Sequence, residues 1–257
     1  MGLQTNLVLQ RCKDKQILST VKIITAMKKI TKLFALLFLS AALSATFTAC
    51  DNEDDEPEIN NTNDPAANDQ TAASKFTDAQ IEAANTAKDA TYLSDDEKLV
   101  IFYINLARID GQAFAEAYLS DLKGSSNSYE KSLLTDLADV KNRKLVIPNE
   151  NLCKASKAHA NDLNKSGKFQ HDSSDGTKTF DRVKKYYKGG AMAENIQAGP
   201  KDPFKIVRQL LIDNGTSSLG HRKNILNQTY VRIGVAIGPH PQYGSCCVQD
   251  FSDAAGD

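Results

Sequence analysis

The 257-residue chain has no tryptophan, only three methionines and four histidines, and no excess of either charge: 31 basic residues face 32 acidic ones, a formal net charge of −1. A nucleic-acid partner needs a clustered basic footprint, and none is written here. No apolar run reaches the ~20 residues of a comfortable membrane-spanning helix. There is no G-x-S-x-G elbow to raise a nucleophilic serine, and no glycine fingerprint for a phosphate loop or a dinucleotide. Internal repeats are also missing. Cysteine is scarce, at five residues, and a thiol protease needs its cysteine beside a histidine and an orienting group. Cys153 falls in a helical pattern, and Cys246 and Cys247 are neighbours in a strand pattern, pointing to opposite faces. In an exported chain a disulfide from Cys153 to Cys246 or Cys247 is one reading, and sequence cannot fix the pairing. Buried, apolar-like thiols are the other.

What is present begins with an address. Lys28, Lys29 and Lys32 precede the apolar run Leu33 to Leu43, and small residues lead on to Ala49 and Cys50. A basic start, an apolar middle and a small-residue cleavage site make a secretory signal. Cys50 stands where a bacterial lipoprotein carries its lipid, with Phe47 in the place where leucine is usual. The signal is complete from Met27 to Ala49, so residues 1–26 read as an overlong start. Myristoylation of Gly2 is excluded by Asn6, where serine or threonine is required. Residues 50–75 are acidic, Asn-rich and poor in large apolar side chains. Such a segment cannot bury enough surface to offset its ordering entropy and is expected to be a disordered tether. The expected location is an outer-membrane lipoprotein, attached to the membrane through Cys50 and facing outward.

Two capping boxes then open helices, TDAQ at Thr77 and SDDE at Ser94. The first predicts an accessory helix within 76–93, running to about Ala90. The second predicts a longer helix that Gly111 breaks or bends, continued by Ala113 to Asp121 and by Ser128 to Val140. Glu150 to Ser166 reads as a helix stopped by Gly167, its alanines small enough to lie close to a sheet. Residues 171–190 read as loop, Glu194 to Ala198 as a short strand, and Pro203 to Ile212 as a helix. YVRIGVAIG and YGSCCVQDF alternate as paired strands about a turn at 239–242. The pattern is α+β, with helices on both sides of a small antiparallel sheet.

Four segments, in order, carry a resemblance: GKFQHDSSDGTKTFDRV (Gly167 to Val183), AMAENI, LGHRKNILNQTYVRIGVAI (Leu219 to Ile237) and YGSCCVQDF. Together they resemble the CAP superfamily of cysteine-rich secretory, antigen 5 and pathogenesis-related proteins, over Ser94 to Phe251, with the expected domain at 94–253. The resemblance implies a three-layer α-β-α sandwich and a cleft lined by two histidines and two acids, which some members use to bind a divalent metal. Carried over by position, these are His171, Glu194, Asp213 and His221. Asp213 stands where a glutamate is usual and Leu210 where tryptophan is, so a direct metal contact by Asp213 is in question. Imidazole and carboxylate suit Zn²⁺, which makes His171, Glu194 and His221 the metal candidates. The bland alternative is a hydrogen-bonded network that ties loops together, since a buried acid needs partners. His159 reads as a satisfied histidine at the core edge and His240 as an exposed turn residue. Arg182 and Arg222 read as loop anchors pairing with acids such as Asp172 or Asp175, and Ser217 and Ser218 gain no nucleophilic role from standing near His221. The expected function is a cleft-bearing binding module for a small apolar ligand or a divalent metal, with a surface protein as another partner. A metal-assisted hydrolase and a structural or adhesive surface domain are the rival classes.

Overall fold

The computed structural model describes residues 75–254. The expected overlong start at 1–26, the expected export signal at 27–49, the expected lipid acceptor Cys50 and the expected tether up to residue 74 lie outside the described residues.

Both capping boxes form. Helix α1 (Asp78–Ala84) starts where Thr77 and Gln80 exchange side-chain and backbone hydrogen bonds, and α2 (Asp95–Ile109) starts in the same way on Ser94 and Glu97. The free oxygen of Glu97 accepts from the backbone N–H of Ile237 at 3.0 Å, so a capping acid also satisfies a sheet strand. α1 ends at Ala84, short of the expected Ala90. The buried Asn105 amide donates to the Ala84 carbonyl and to the Thr86 hydroxyl, which in turn donates to the Val146 carbonyl. Tertiary bonds thereby replace the next helical turn. Phe76, Ala84, Ala87, Ala90 and Leu93 are buried in the same core as α2.

α2 stops at Asp110, which is extended (φ −153°) and caps α3 (Gly111–Tyr118) through a 2.9 Å bond from the Ala113 N–H. Gly111 is therefore the first residue of a helix rather than its breaker. Its lack of a side chain is used for packing, because a Cβ there would collide with the Leu137 carbonyl of α4 (Ser128–Ala138).

The short strand β1 (Ile147–Pro148) leads into α5 (Glu150–Ser166), which Gly167 terminates in the left-handed conformation at φ 69°. The chain continues through α6 (Thr179–Lys184), β2 (Met192–Ala198), α7 (Pro203–Ile212), α8 (Gly220–Leu226), β3 (Arg232–His240) and β4 (Gly244–Ser252). The sheet order is β1-β3-β4-β2. The three long strands are antiparallel, as expected, and β1 adds a two-residue parallel pairing to β3.

The register places Glu194, Ile196, Gly234, Ala236, Val248 and Asp250 on one face and Asn195, Gln197, Ile233, Val235 and Cys247 on the other. α5 covers the first face. It sits so close that a Cβ on Gly234 would strike the Leu152 carbonyl, so glycine on the strand matters here beside the expected alanines on the helix. α2, α7 and α8 cover the second face. The result is the α-β-α sandwich, with β2 at its edge.

Two buried arginines fasten the second layer. Arg108 donates to the carbonyls of Ile225 (2.6 Å), Lys144 and Tyr230, closing the C-terminal end of α8. Burial pushes its pKa down to about 9, which still leaves it charged at neutral pH. Arg222 donates to the Leu211 and Ile212 carbonyls at the end of α7, and to Ser132, Asp136 and the Tyr129 carbonyl of α4. Its acid is Asp136, not Asp172 or Asp175.

Candidate functional site

The four residues expected to line one cleft form two carboxylate–histidine pairs. In the first, His171 Nδ1 lies 2.8 Å from Glu194 Oε1. The imidazole is half exposed, at 50%, while Glu194 is buried. The second oxygen of Glu194 accepts from Arg182 Nη2, and the same guanidinium donates to the His171 carbonyl at 2.8 Å. Arg182 thus locates both the loop that carries His171 and the carboxylate that orients its ring. It does not pair with Asp172, which takes Lys178 and Thr179, nor with Asp175, which accepts from the Thr177 N–H.

In the second pair, His221 Nδ1 lies 2.7 Å from Asp213 Oδ1, while Asp213 Oδ2 accepts from the backbone N–H groups of His221 (2.9 Å) and Arg222 (3.3 Å). The carboxylate therefore fixes the ring and also satisfies the first turn of α8, where a negative charge is favoured. Asp213 adopts the left-handed conformation, φ 57° and ψ 38°, at the end of α7. Asp tolerates this region better than most residues with a Cβ, and the kink aims its short side chain forward at α8.

Both rings use Nδ1 toward the carboxylate, which leaves Nε2 as the nitrogen not spent in these bonds. The pairs approach edge strand β2 from opposite sides. Glu194 faces α5, whereas the next residue, Asn195, donates to the His221 carbonyl at 3.2 Å on the α8 side. Asp213 and His221 open on a cleft of about 740 Å³ beside β2 and α7, which Ile196, Gln197, Gln209, Phe169 and Tyr243 also line. His171 and Glu194 do not line it.

Behind Glu194 lies a buried polar cluster that sequence reasoning missed. Asp250 stands directly across from Glu194 in the β2–β4 register and accepts from Ser156 Oγ at 2.7 Å. Burial, and next the charge of Glu194, push the Asp250 carboxyl well above the usual range. Its other oxygen, Oδ1, has no donor among the described residues, and a proton placed there would point it at Glu194. The available signal was the alternation Cys246, Val248, Asp250, which puts an acid on a strand face that is otherwise closed. His159 belongs to the same cluster. It is fully buried, with Nε2 3.0 Å from the Gln170 carbonyl and 4.0 Å from Glu194 Oε1, but Nδ1 has no partner among the described residues, so it is only half satisfied. Burial is the main cause of its lowered pKa. His240 is not an exposed turn residue. It is buried at the end of β3, its ring 4.9 Å from that of Tyr243 and 6.0 Å from that of Phe169.

The three described cysteines are free and buried. Burial pushes Cys153 up to about 12 and raises Cys246 and Cys247 as well, so none is a nucleophile near neutral pH. Among the described residues no three His, Cys, Asp or Glu side chains gather where a metal ion could be held.

The chain is 31% identical over 134 residues to the uncharacterized protein YkwD of Bacillus subtilis (strain 168), an alignment covering 49% of this chain and 48% of that one, so the chain spans about half the length of its curated relative. Similar solved structures include an extracellular protein containing an SCP domain from Bacillus anthracis str. Ames (TM-score 0.37, 23% identity, 52% of this chain and 43% of that one). Others are an outer surface protein of Borrelia burgdorferi (0.38, 20%, 51% and 96%) and venom allergen-like protein 4 of Schistosoma mansoni (0.39, 15%, 64% and 91%). The model of the cysteine-rich secretory protein family, CAP, matches residues 103–251, more than half of the sequence, and the chain belongs to that family.

Proposed function

We propose that this protein is an exported, lipid-anchored binding module that holds a small ligand in the cleft beside the Asp213–His221 pair. The observation that carries the reading is the placement of a carboxylate-fixed imidazole on the wall of a cleft of about 740 Å³, a size suited to a small molecule. Export rests on the signal pattern ahead of Cys50, and the extracellular and outer-surface descriptions of two similar proteins support it. Anchoring rests on Cys50 itself. The lining mixes amides and charges with a few apolar side chains, which suits a polar or amphipathic ligand better than the wholly apolar one that the resemblance suggests.

A divalent ion enters as a second reading, favoured by the Nδ1-to-carboxylate bonds. A ligating histidine commonly gives its other ring nitrogen to a carboxylate. On this geometry each Nε2 would be a separate donor, since the two pairs lie on opposite sides of β2 and only His221 lines the cleft, with Glu194 and Asp213 orienting rather than ligating. The fit is incomplete, since a resident zinc normally takes at least three protein ligands. A hydrolase would have to be chelator-sensitive and lost in Glu194→Gln.

The deciding experiment compares native mass spectra of gently purified full-length protein with those of His221→Ala. A small molecule or metal that co-purifies with the first and is missing from the second is the expected result. Empty spectra from both, with surface adhesion unchanged in His221→Ala, would replace this reading with a structural or adhesive domain.

A further inference from the structure

We propose that the ligand of this cleft is a neutral saccharide, held with a ring face against Phe169 and Tyr243 and its hydroxyl or acetamido groups on the amides of Gln197, Gln209 and Asn214. The inference rests on the reading of the cleft as a binding site and adds the ligand class.

Phe169 and Tyr243 are among the few large apolar side chains left exposed, at 36% and 42%, and both line the cleft. They do not drift independently. Their rings meet edge-on at 5.6 Å, and each packs on the buried ring of His240. A rigid aromatic surface standing in water offers stacking to a flat, weakly polar face at little cost in side-chain entropy. The C–H face of a pyranose is such a face.

The polar side of the cleft matches the rest of such a ligand. Gln197 is buried, and its Nε2 donates to the Ala198 carbonyl (2.9 Å), the Pro200 carbonyl (3.4 Å) and Gln209 Oε1 (2.9 Å). Those acceptors settle which end of the amide is which. Its Oε1 then has no donor among the described residues, and a rotation of the amide toward the cleft that Gln197 lines would let a ligand O–H or N–H supply one. Gln209 and Asn214 are exposed on the cleft wall, with Thr216 nearby. The charged lining residues balance, Glu130 and Asp213 against Lys205 and Arg208. That balance gives no preference for an anion or a cation. A lipid chain would want a continuous apolar wall, which these amides interrupt.

The test is saturation-transfer NMR and calorimetry on the full-length protein with triacetylchitotriose and cellotriose as probes, and palmitate and trialanine as rivals. The expected result is saturable binding of at least one saccharide, weakened at least about tenfold in both Phe169→Ala and Tyr243→Ala. Both side chains also pack on His240, so melting is recorded for each variant, and Gln209→Ala, on the exposed wall, should weaken binding without a change in melting. Binding of palmitate or trialanine, lost in His221→Ala, with no saccharide bound up to millimolar concentrations, would overturn the saccharide and leave the binding module standing. If none of the four probes binds, the saccharide is overturned, and the binding module stands or falls on the mass spectra of the parent and His221→Ala.

Discussion

An aspartate held directly across a strand pair from a glutamate, both out of water, cannot easily stay ionised beside it. In this protein Arg182 and His171 hold Glu194, and Asp250, buried beside it, has its carboxyl pushed toward the protonated form. A carboxyl whose folded pKa is raised contributes stability that is complete below the unfolded value, ~3.9, and is lost as pH rises toward the folded value. His159, shifted down, has the opposite sign: its share is present above ~6.5 and fades as pH falls below that. Replacing Asp250 with asparagine keeps an acceptor for Ser156, gives a permanent donor toward Glu194, and removes the alkaline loss. Urea unfolding should find Asp250→Asn gaining on the parent between about pH 5 and about pH 8. A loss of equal size at both values would show that Asp250 is ionised in the fold. The site residues themselves were legible only through a resemblance, and their pairing was not legible at all. Whether Glu194 meets His171, Arg182 or Asp250 depends on strand register and on a loop fixed by a distant guanidinium, and neither is a local property.

Among the elements, those with a side-chain N-cap of their own were readable. Thr77, Ser94, Asn149 and Asp202 each announce a helix within three residues. α6 and α8 have no side-chain cap on their N-cap residue and were missed. For α8 the cap comes from Asp213, outside the local window, and its far end is closed by Arg108 from α2, distant in sequence. α8 is thus held by tertiary contacts at both ends, and it carries His221. Arg222, the next residue, serves the preceding helix. Substituting it with methionine would fill the space but leave the Leu211 and Ile212 carbonyls without a donor, at a cost of about 1–3 kcal/mol for each group left unpaired. Chemical denaturation should show that loss. A substitution that costs less than about 0.5 kcal/mol would mean that water reaches the end of α7.

For the molecule as a whole, helices on both sides of a small antiparallel sheet were readable because strand alternation and helical periodicity each mark one buried face, while the three-layer sandwich came from the resemblance. The thiols were readable only as a choice. Cys153, Cys246 and Cys247 allowed a disulfide or buried apolar-like thiols, and the fold takes the second, using them as small apolar residues in closed layers. Ellman's reagent should leave these three unmodified in the native protein at about pH 8, where a free exposed thiol is partly ionised, and should modify all three in denaturant without prior reduction. Peptide mapping that found any two of them bridged in the native protein would contradict this packing.

The central claim is that two carboxylates hold two imidazoles by Nδ1 and leave each Nε2 for chemistry or ligand. Long-range ¹H–¹⁵N spectra of the histidine rings measure this directly, since the two tautomers give different patterns. In the neutral rings the expected spectrum shows the proton of His171 and of His221 on Nδ1 with a bare Nε2, with Asp213→Asn changing His221 alone. A proton on Nε2 of either ring, with Nδ1 bare, would contradict it.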